Sequence, residues 1–141
     1  MIVDIEKKET ESGWFDLEGG GRVNVRLLSA DDVREMRKLC ETVTSEYPLL
    51  LVDPNDETKG REYRRFDVPR FDGDLWEAEL SDRSILGWEA ILDRNKKPVP
   101  VTREYKALLM QIAPKFREAV EAARKVLKER DAEKAEAAEK N

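Results

Sequence analysis

Residues 86–102 read LGWEAILDRNKKPVPVT, and this stretch carries the most specific structural pattern in the chain. Residues 88–96 favour a strand followed by a turn. Pro98 and Pro100 force extended geometry on the residues before them, and because they cannot donate ladder hydrogen bonds they predict an edge element. Thr102 is suited to cap the helix that follows. The stretch therefore predicts an edge hairpin that leads directly into a helix.

The segments upstream of this stretch mix strand and helix signals. Residues 14–17 and 22–27 favour two strands joined by a glycine-rich turn, and the second strand alternates polar and apolar residues strictly. Its inward-facing residues are predicted to be Val23, Val25 and Leu27. Ser29 then predicts an N-cap, and the helix after it is expected to end near Thr44. The apolar face of this helix is predicted to comprise Val33, Met36, Leu39, Cys40 and Val43.

The middle of the chain has weaker patterns. Residues 49–52 form a short apolar run that predicts a buried strand or a helical turn, and residues 53–57 predict a polar loop. The irregular pattern of residues 61–71 predicts an extended segment. Residues 74–84 predict a second helix. Residues 102–112 predict a third helix, whose apolar side comprises Tyr105, Leu108, Leu109 and Ile112.

The C-terminal segment predicts a long helix that starts at Pro114, since proline suits the first turn of a helix. Phe116, Val120, Ala123 and Leu127 then recur at helical spacing. Beyond Leu127 only alanines interrupt the charged residues, so this part has high helix propensity and almost no large side chain to bury. We expect it to project and fray unless a partner or another copy of the chain covers it.

Together these signals predict an α+β fold with short antiparallel strands, three to four helices and a projecting C-terminal helix. The predicted division is a core domain at residues 1–112 and a charged tail at residues 113–141. Charged residues make up 40% of the chain, well above the usual quarter, which predicts exposed charged helices. The sequence has no apolar run long enough to span a membrane and no signal peptide at its start, so a cytoplasmic protein is expected.

The residue inventory excludes several classes of chemistry. The chain has no histidine, which excludes Ser-His-Asp and Cys-His catalysis and histidine zinc sites. Its single cysteine, Cys40, excludes a disulfide framework and is expected to be a small buried hydrophobe. Glu77, Glu79 and Asp82 could form a carboxylate cluster, but without a pocket or a second group of opposed environment they predict a charged helix surface. No catalytic residue, metal site or cofactor is therefore predicted.

A calcium loop is suggested by Asp53, Asn55 and Glu57, whose spacing matches the start of an EF-hand loop. The match then fails, because the sixth position is Thr58 instead of glycine and the twelfth is Arg64 instead of a bidentate glutamate. The favoured interpretation is a solvated loop without a metal ion.

A stretch of alternating basic and aromatic residues suggests a nucleic-acid contact, since single-stranded nucleic acid binds cations placed beside stacking rings. The cations are Lys59, Arg61, Arg64, Arg65 and Arg70, and the rings are Tyr63, Phe66 and Phe71. However, Glu62, Asp67 and Asp72 interrupt the patch, and the net charge of -5 argues against nonspecific DNA binding. The favoured interpretation is a strand with buried aromatic rings and solvated charges.

Trp88 leaves two interpretations open, a core residue that holds the hairpin against the following helix and a residue of a docking surface. The residues around it resemble a pattern of tail assembly chaperones from long-tailed bacteriophages and prophages. Those proteins often carry an aliphatic residue, Trp-Glu-Gly, a short apolar step, Asp-x-x-Gly-Lys-Pro, an apolar residue, a proline, and a Thr or Ser capping a helix with Glu. The matching residues here are Ile85, Trp88, Glu89, Ile91, Asp93, Lys97, Pro98, Pro100, Thr102 and Glu104. Ala90 and Lys96 stand where glycines are common in the family, and Lys96 predicts a different type of turn.

The resemblance implies a protein that binds and does not catalyse. Such chaperones bind the tape-measure protein, a very long helical chain with apolar stripes, keep it soluble, and help tail-tube subunits polymerise around it. The expected partners are therefore the tape-measure protein, the tail-tube protein and, as a further option, a second copy in a homo-oligomer, with no nucleic acid and no membrane. The residues predicted to bind partners are Trp88, Pro98, Pro100, Phe116, Val120 and Leu127. For the last three, packing on the domain's own core is the alternative. The alternatives for function are another small phage structural part, such as a head-tail joining protein, and a nucleic-acid-binding regulator.

Overall fold

A three-stranded antiparallel sheet packs against the C-terminal helix, and this arrangement confirms the predicted α+β class. The computed structural model describes residues 10–139, so the start of the chain, where no signal peptide is predicted, lies outside the described residues. In chain order the elements are β1 (Ser12–Asp16), β2 (Arg22–Arg26), α1 (Ala30–Cys40), β3 (Glu41–Glu46), β4 (Leu49–Asp53), β5 (Asp56–Tyr63), β6 (Phe66–Phe71), α2 (Gly73–Ser84), β7 (Ile85–Glu89), α3 (Arg103–Ile112) and α4 (Pro114–Glu139).

The central sheet has the strand order β1-β2-β7, with both neighbouring pairs antiparallel. Because side chains alternate between the two faces of a strand, Val23 and Val25 of β2 point to the same face. Both side chains are fully buried, and Leu27 packs against the same cluster. The predicted inward-facing residues of β2 are therefore confirmed.

The hydrophobic core forms between this face of the sheet and one side of α4. The helix contributes Phe116, Val120, Ala123 and Leu127, and the sheet contributes Val23, Val25, Ile85 and Trp88. Each fully buried aliphatic side chain of this kind stabilises the fold by about 1.5–3 kcal/mol relative to an exposed one. The first half of α4 thus packs in the core, and the described residues after Leu127 are exposed. The division at residue 113 stays a prediction.

Capping groups set the helix boundaries that the sequence predicts. Ser29 and Asp32 form a capping box at the start of α1, with each side chain bonded to the other residue's backbone N–H. Asp72 accepts a hydrogen bond from the Leu75 backbone at the start of α2. Thr102 likewise caps α3, which confirms its predicted role.

The end of α1 differs from the prediction. The helix ends at Cys40 and not near Thr44, because Glu41–Glu46 pairs with β6 along its whole length. The consecutive β-branched residues of this segment favour a strand over a helix. Val43, predicted on the apolar helical face, is instead an exposed strand residue, and Leu39 is also exposed, whereas Met36 and Cys40 are buried as predicted.

The predicted hairpin at residues 88–102 is only partly formed. Strand β7 begins at Ile85, ends at Glu89, and pairs with β2 at the edge of the central sheet. The chain then turns back through a short loop that is closed by a single bridge between Leu92 and Pro98. The edge position of β7 agrees with the prediction, but the prolines lie in the loop and not in a strand.

Candidate partner-binding surfaces

Residues 41–71 form an extended two-stranded ribbon between α1 and α2, which we call the arm. Strands β3 and β6 pair near its base, and β4 and β5 pair towards its tip. The base is closed where the backbone N–H of Asp72 donates to the carbonyl of Cys40 at 2.9 Å. The extended segment predicted at residues 61–71 is confirmed, whereas the apolar run at residues 49–52 is a strand of the arm and is not buried.

Large apolar side chains are exposed along the arm. Val43 is 68% exposed and Tyr63 is 72% exposed, values that are unusual for side chains of this size. The exposed members are Val43, Tyr47, Leu49, Val52, Tyr63, Phe66 and Phe71. Leu49 lies directly opposite Tyr63, so these two side chains share one face of the ribbon.

The charged side chains of the arm are mostly paired with one another. Four of the five basic residues predicted to form a patch contact carboxylates: Lys59 with Asp53, Arg64 with Glu62, Arg65 with Asp67, and Arg70 with Glu46. Exposed pairs of this kind add little stability, but they neutralise the cations. The aromatic rings beside them are exposed and not buried, which corrects that part of the prediction.

The candidate calcium loop forms the tip of the arm. Asp53 accepts a hydrogen bond from the Asn55 backbone at 2.9 Å and pairs with Lys59 at 3.2 Å. The polar loop predicted at residues 53–57 is shorter, because β5 already begins at Asp56. Within residues 10–139 no group of three or more potential metal-ligating side chains occurs.

Helix α3 presents a second exposed apolar surface. Leu109 and Met110 pack against the core, but none of the residues of α3 is fully buried. Tyr105, Leu108 and Ile112, predicted to lie on the apolar side, remain exposed, with Ile112 at 64%. Their spacing places them along one stripe of the helix.

Trp88 lies in the core. Its side chain is 7% exposed, its ring meets Phe116 edge-on with the centroids 5.9 Å apart, and its Nε1 donates to the carbonyl of Val99 at 2.9 Å. This geometry agrees with the core interpretation of Trp88 and fixes the loop against β7. Pro98 and Pro100 are exposed on the same loop.

The C-terminal residues predicted to bind partners are also buried. Phe116 is 6% exposed, and Val120 and Leu127 are fully buried against the central sheet. Packing on the domain's own core, the alternative considered above, therefore describes where they lie. In this conformation they offer almost no surface to a partner, and a partner contact at these residues or at Trp88 stays a prediction.

Ala90 and Lys96 adopt left-handed backbone conformations, with φ values of 58° and 61°. They are the two non-glycine residues with positive φ in the described chain. These are the two positions at which glycines are common in the phage chaperone pattern. Lys96 therefore has a backbone conformation that glycine adopts readily, and the different turn type predicted for it stays a prediction.

Replacing both residues with glycine should relieve this strain. A non-glycine residue in the left-handed region costs roughly 1–2 kcal/mol, and glycine costs part of that in extra unfolded-state entropy, so we expect Ala90→Gly and Lys96→Gly together to raise stability by about 1 kcal/mol. Urea melts provide the measurement. Ala122→Gly, at an exposed position in α4, is the control and should lower stability by about 1 kcal/mol. If the double variant is destabilised as well, the left-handed conformations are wrong.

Two of the three carboxylates predicted to form a charged helix surface, Glu79 and Asp82, belong to an ion-pair network that joins three helices, whereas Glu77 is exposed as predicted. Arg83 of α2 contacts Asp32 and Glu35 of α1, at 3.1 and 2.6 Å, and Glu79 of its own helix at 3.0 Å. Arg103 of α3 contacts the other oxygen of Glu79 at 2.8 Å. Glu79 is therefore buried between helices and saturated by cations, which corrects the expectation that it lies on a solvated helix surface.

The same cations stabilise the ionised form of the buried carboxylates. A hydrogen bond from Arg26, reinforced by bonds from Ser29, holds the pKa of Asp32 well below its usual range. Burial alone would raise the pKa of Glu79, but the hydrogen bonds from Arg83 and Arg103 outweigh it and lower the pKa. Neither carboxyl group is therefore poised to exchange protons near neutral pH.

Cys40 is fully buried at the end of α1, as predicted for a small hydrophobe. Burial raises the pKa of its thiol, and the surrounding carboxylates act in the same direction. The thiolate that a nucleophile requires is therefore disfavoured.

Searches against protein-family models, curated proteins and solved structures find no match to this chain. No helix in the described part of the chain is long and apolar enough to cross a membrane. The feature that sequence reasoning missed is the arm. The three consecutive β-branched residues at 42–44 were the available signal, but a helical apolar face extended over the same residues.

Proposed function

We propose that this protein is a tail assembly chaperone of a long-tailed phage or prophage, acting in the bacterial cytoplasm by reversible binding of the tape-measure protein. The observation that carries this proposal is the arm, whose large apolar side chains are exposed on a ribbon that contacts the rest of the domain mainly at its base. Exposed apolar surface of this kind marks sites of protein interaction.

The architecture of the arm indicates what kind of partner suits it. An isolated two-stranded ribbon is marginally stable in water and usually requires a third strand or a packed helix. An amphipathic helix laid on the Leu49 and Tyr63 face would supply that layer and cover the exposed side chains. A tape-measure protein, as a long helix with apolar stripes, has this chemistry.

The loop after β7 supports the proposed family. Ala90 and Lys96, which stand at the glycine positions of the phage chaperone pattern, both have positive φ. The resemblance rests on residue types alone, so the backbone conformation is a separate observation. Assistance to the tail-tube protein follows from the family and is part of the same proposal.

Binding should be dominated by apolar contacts, because the cations of the arm are mostly paired internally. We expect coexpression with the tape-measure protein to raise that partner's soluble yield. The complex should survive purification at about 0.5 M salt, where charge–charge attraction is strongly screened. Nucleic acid that copurifies at low salt in place of the partner would favour the regulator alternative. Detection of the protein in purified virions by mass spectrometry would favour a head-tail joining protein.

A further inference from the structure

A cleft of about 440 Å³ lies between α1, α2 and the middle of α4, and none of the arm residues line it. Its walls are aliphatic and comprise Leu27, Leu28, Val33 and Leu80. The hydroxyl of Ser84 and three cations, Arg26, Arg124 and Lys128, complete the lining. A cavity of this size with apolar walls and a few converging polar groups is the usual form of a ligand site.

The three cations of the cleft differ in whether a carboxylate neutralises them. Arg26 is neutralised by Asp32 at 2.8 Å. Neither Arg124 nor Lys128 forms an ion pair with any carboxylate of residues 10–139. The cleft therefore holds two positive charges, on Arg124 and Lys128, that no ion pair within residues 10–139 neutralises.

Arg124 is exceptional among the arginines that lie between helices. Arg83 and Arg103 each contact at least two carboxylates. Arg124 instead donates from Nη2 to the Ser84 hydroxyl at 2.6 Å, and its buried Nε has no hydrogen-bond partner. A partly buried guanidinium without an anion is costly, and burial lowers its pKa despite the more distant Glu121 and Glu77.

We propose that this cleft binds a carboxylate flanked by aliphatic side chains on a partner polypeptide. The positive charge of Arg124 and Lys128 complements the carboxylate, and the aliphatic walls accept its apolar neighbours. A carboxylate fits better than a phosphate group, because the aliphatic walls offer few donors for a strongly hydrated dianion. The exposed length of α4 beyond Lys128 allows a bound segment to continue along the helix.

The polypeptide source of the carboxylate rests on the proposed function. Two blocked peptides test it, one with a single glutamate between leucines and one with glutamine in its place, titrated by calorimetry against the whole protein. We expect the glutamate peptide to bind at least about tenfold more tightly. Equal affinities would overturn the proposal. Decanoate, titrated in parallel, should bind more weakly than the peptide, and equal binding would overturn the assignment to a polypeptide.

Arg124→Met provides the test within the protein. It should abolish the preference for the glutamate peptide and leave the melting temperature unchanged or higher, because no carboxylate of residues 10–139 forms an ion pair with this cation. Arg117→Met, two turns earlier on α4 and outside the cleft, is the matched control and should keep the preference. A clear fall in the melting temperature of Arg124→Met would show that Glu77 and Glu121 already neutralise the Arg124 guanidinium. This result would overturn the proposal.

These titrations use only the isolated protein and short peptides. A cleft that shows no preference for the glutamate peptide would therefore leave binding of the tape-measure protein by the arm intact. Conversely, failure of the arm to bind that protein would leave a measured preference of the cleft standing.

Discussion

Replacing Trp88 with alanine should lower the free energy of unfolding by about 3–5 kcal/mol, the range for emptying a buried aromatic site. The change removes the edge-on packing with Phe116 and leaves the carbonyl of Val99 without the indole donor. Loss of a buried hydrogen-bond partner adds to the cost of the cavity. Urea melts at neutral pH measure the change, and thermal melts should show a fall of roughly 10 °C or more.

Trp14→Ala is the matched control for this prediction. Trp14 lies on the exposed side of β1, with its ring 4.4 Å from the Arg22 guanidinium, so its loss should cost about 1 kcal/mol or less. If Trp88→Ala fails to fold, Trp88→Phe retains most of the packing and removes the indole donor to Val99, so it should show a smaller loss of stability in the same direction. Equal stability of the Trp88 and Trp14 alanine variants would contradict the core role of Trp88.

Arg83→Met should lower the free energy of unfolding by about 2–3 kcal/mol. Removing one member of a buried ion pair usually costs about 3–5 kcal/mol. We expect a smaller effect, because in the variant Glu79 still forms its ion pair with Arg103, and Asp32 still forms its ion pair with Arg26. Denaturant melts of the variant and the unchanged protein give the difference.

The pH dependence of that difference identifies its cause. Burial would raise the folded-state pKa of Glu79, but hydrogen bonds from Arg83 and Arg103 lower it. The stability that Arg83 adds through Glu79 is therefore present above the unfolded-state pKa, about 4, and is lost as the pH falls through the folded value. The difference in the free energy of unfolding between the unchanged protein and the Arg83→Met variant should therefore become smaller below about pH 4. Arg65→Met, which breaks an exposed pair with Asp67 on the arm, should cost less than about 1 kcal/mol at any pH. A difference in the free energy of unfolding that does not depend on pH would mean that Arg83 stabilises the fold through packing of its methylene groups.

The sequence predicted the elements that are stabilised by contacts between residues close together in the chain. Ser29 and Thr102 cap helices as expected, because a cap needs only the side chain and the next three residues. The alternation in β2 predicted its buried face for a similar reason, since a strand with one buried face has apolar residues at every second position.

The arm could not be predicted in the same way. Its strands are held by pairing between Glu41–Glu46 and Phe66–Phe71, which are distant in sequence, and neither face of the ribbon is buried. Without a buried face there is no clean alternation, so the helical spacing of Val33, Met36 and Cys40 appeared to continue to Val43. The candidate site was missed for the same reason, because the exposure of the apolar residues follows from the arm's isolation and not from their types.

The role of the C-terminal apolar residues cannot be decided from their spacing. Apolar residues at helical spacing, such as Phe116, Val120 and Leu127, are equally consistent with a core face and a docking face. Only the position of the sheet decides between them, and here the sheet covers that side of α4.

We propose that the arm holds a helical phage partner through its exposed apolar side chains. The most direct measurement is the amount of tape-measure protein recovered in complex at about 0.5 M salt, compared between the unchanged chain and a variant carrying Val43→Thr, Leu49→Thr and Tyr63→Thr. Threonine keeps the strand propensity of the arm and removes most of its apolar surface. Leu92→Thr, which changes an exposed apolar residue outside the arm, is the control.

We expect the unchanged chain and the Leu92 variant to recover the partner in similar amounts. The triple variant should recover at least about tenfold less, while its own melting temperature stays close to that of the unchanged chain, because none of the three side chains is buried. Undiminished recovery by the triple variant would contradict the account.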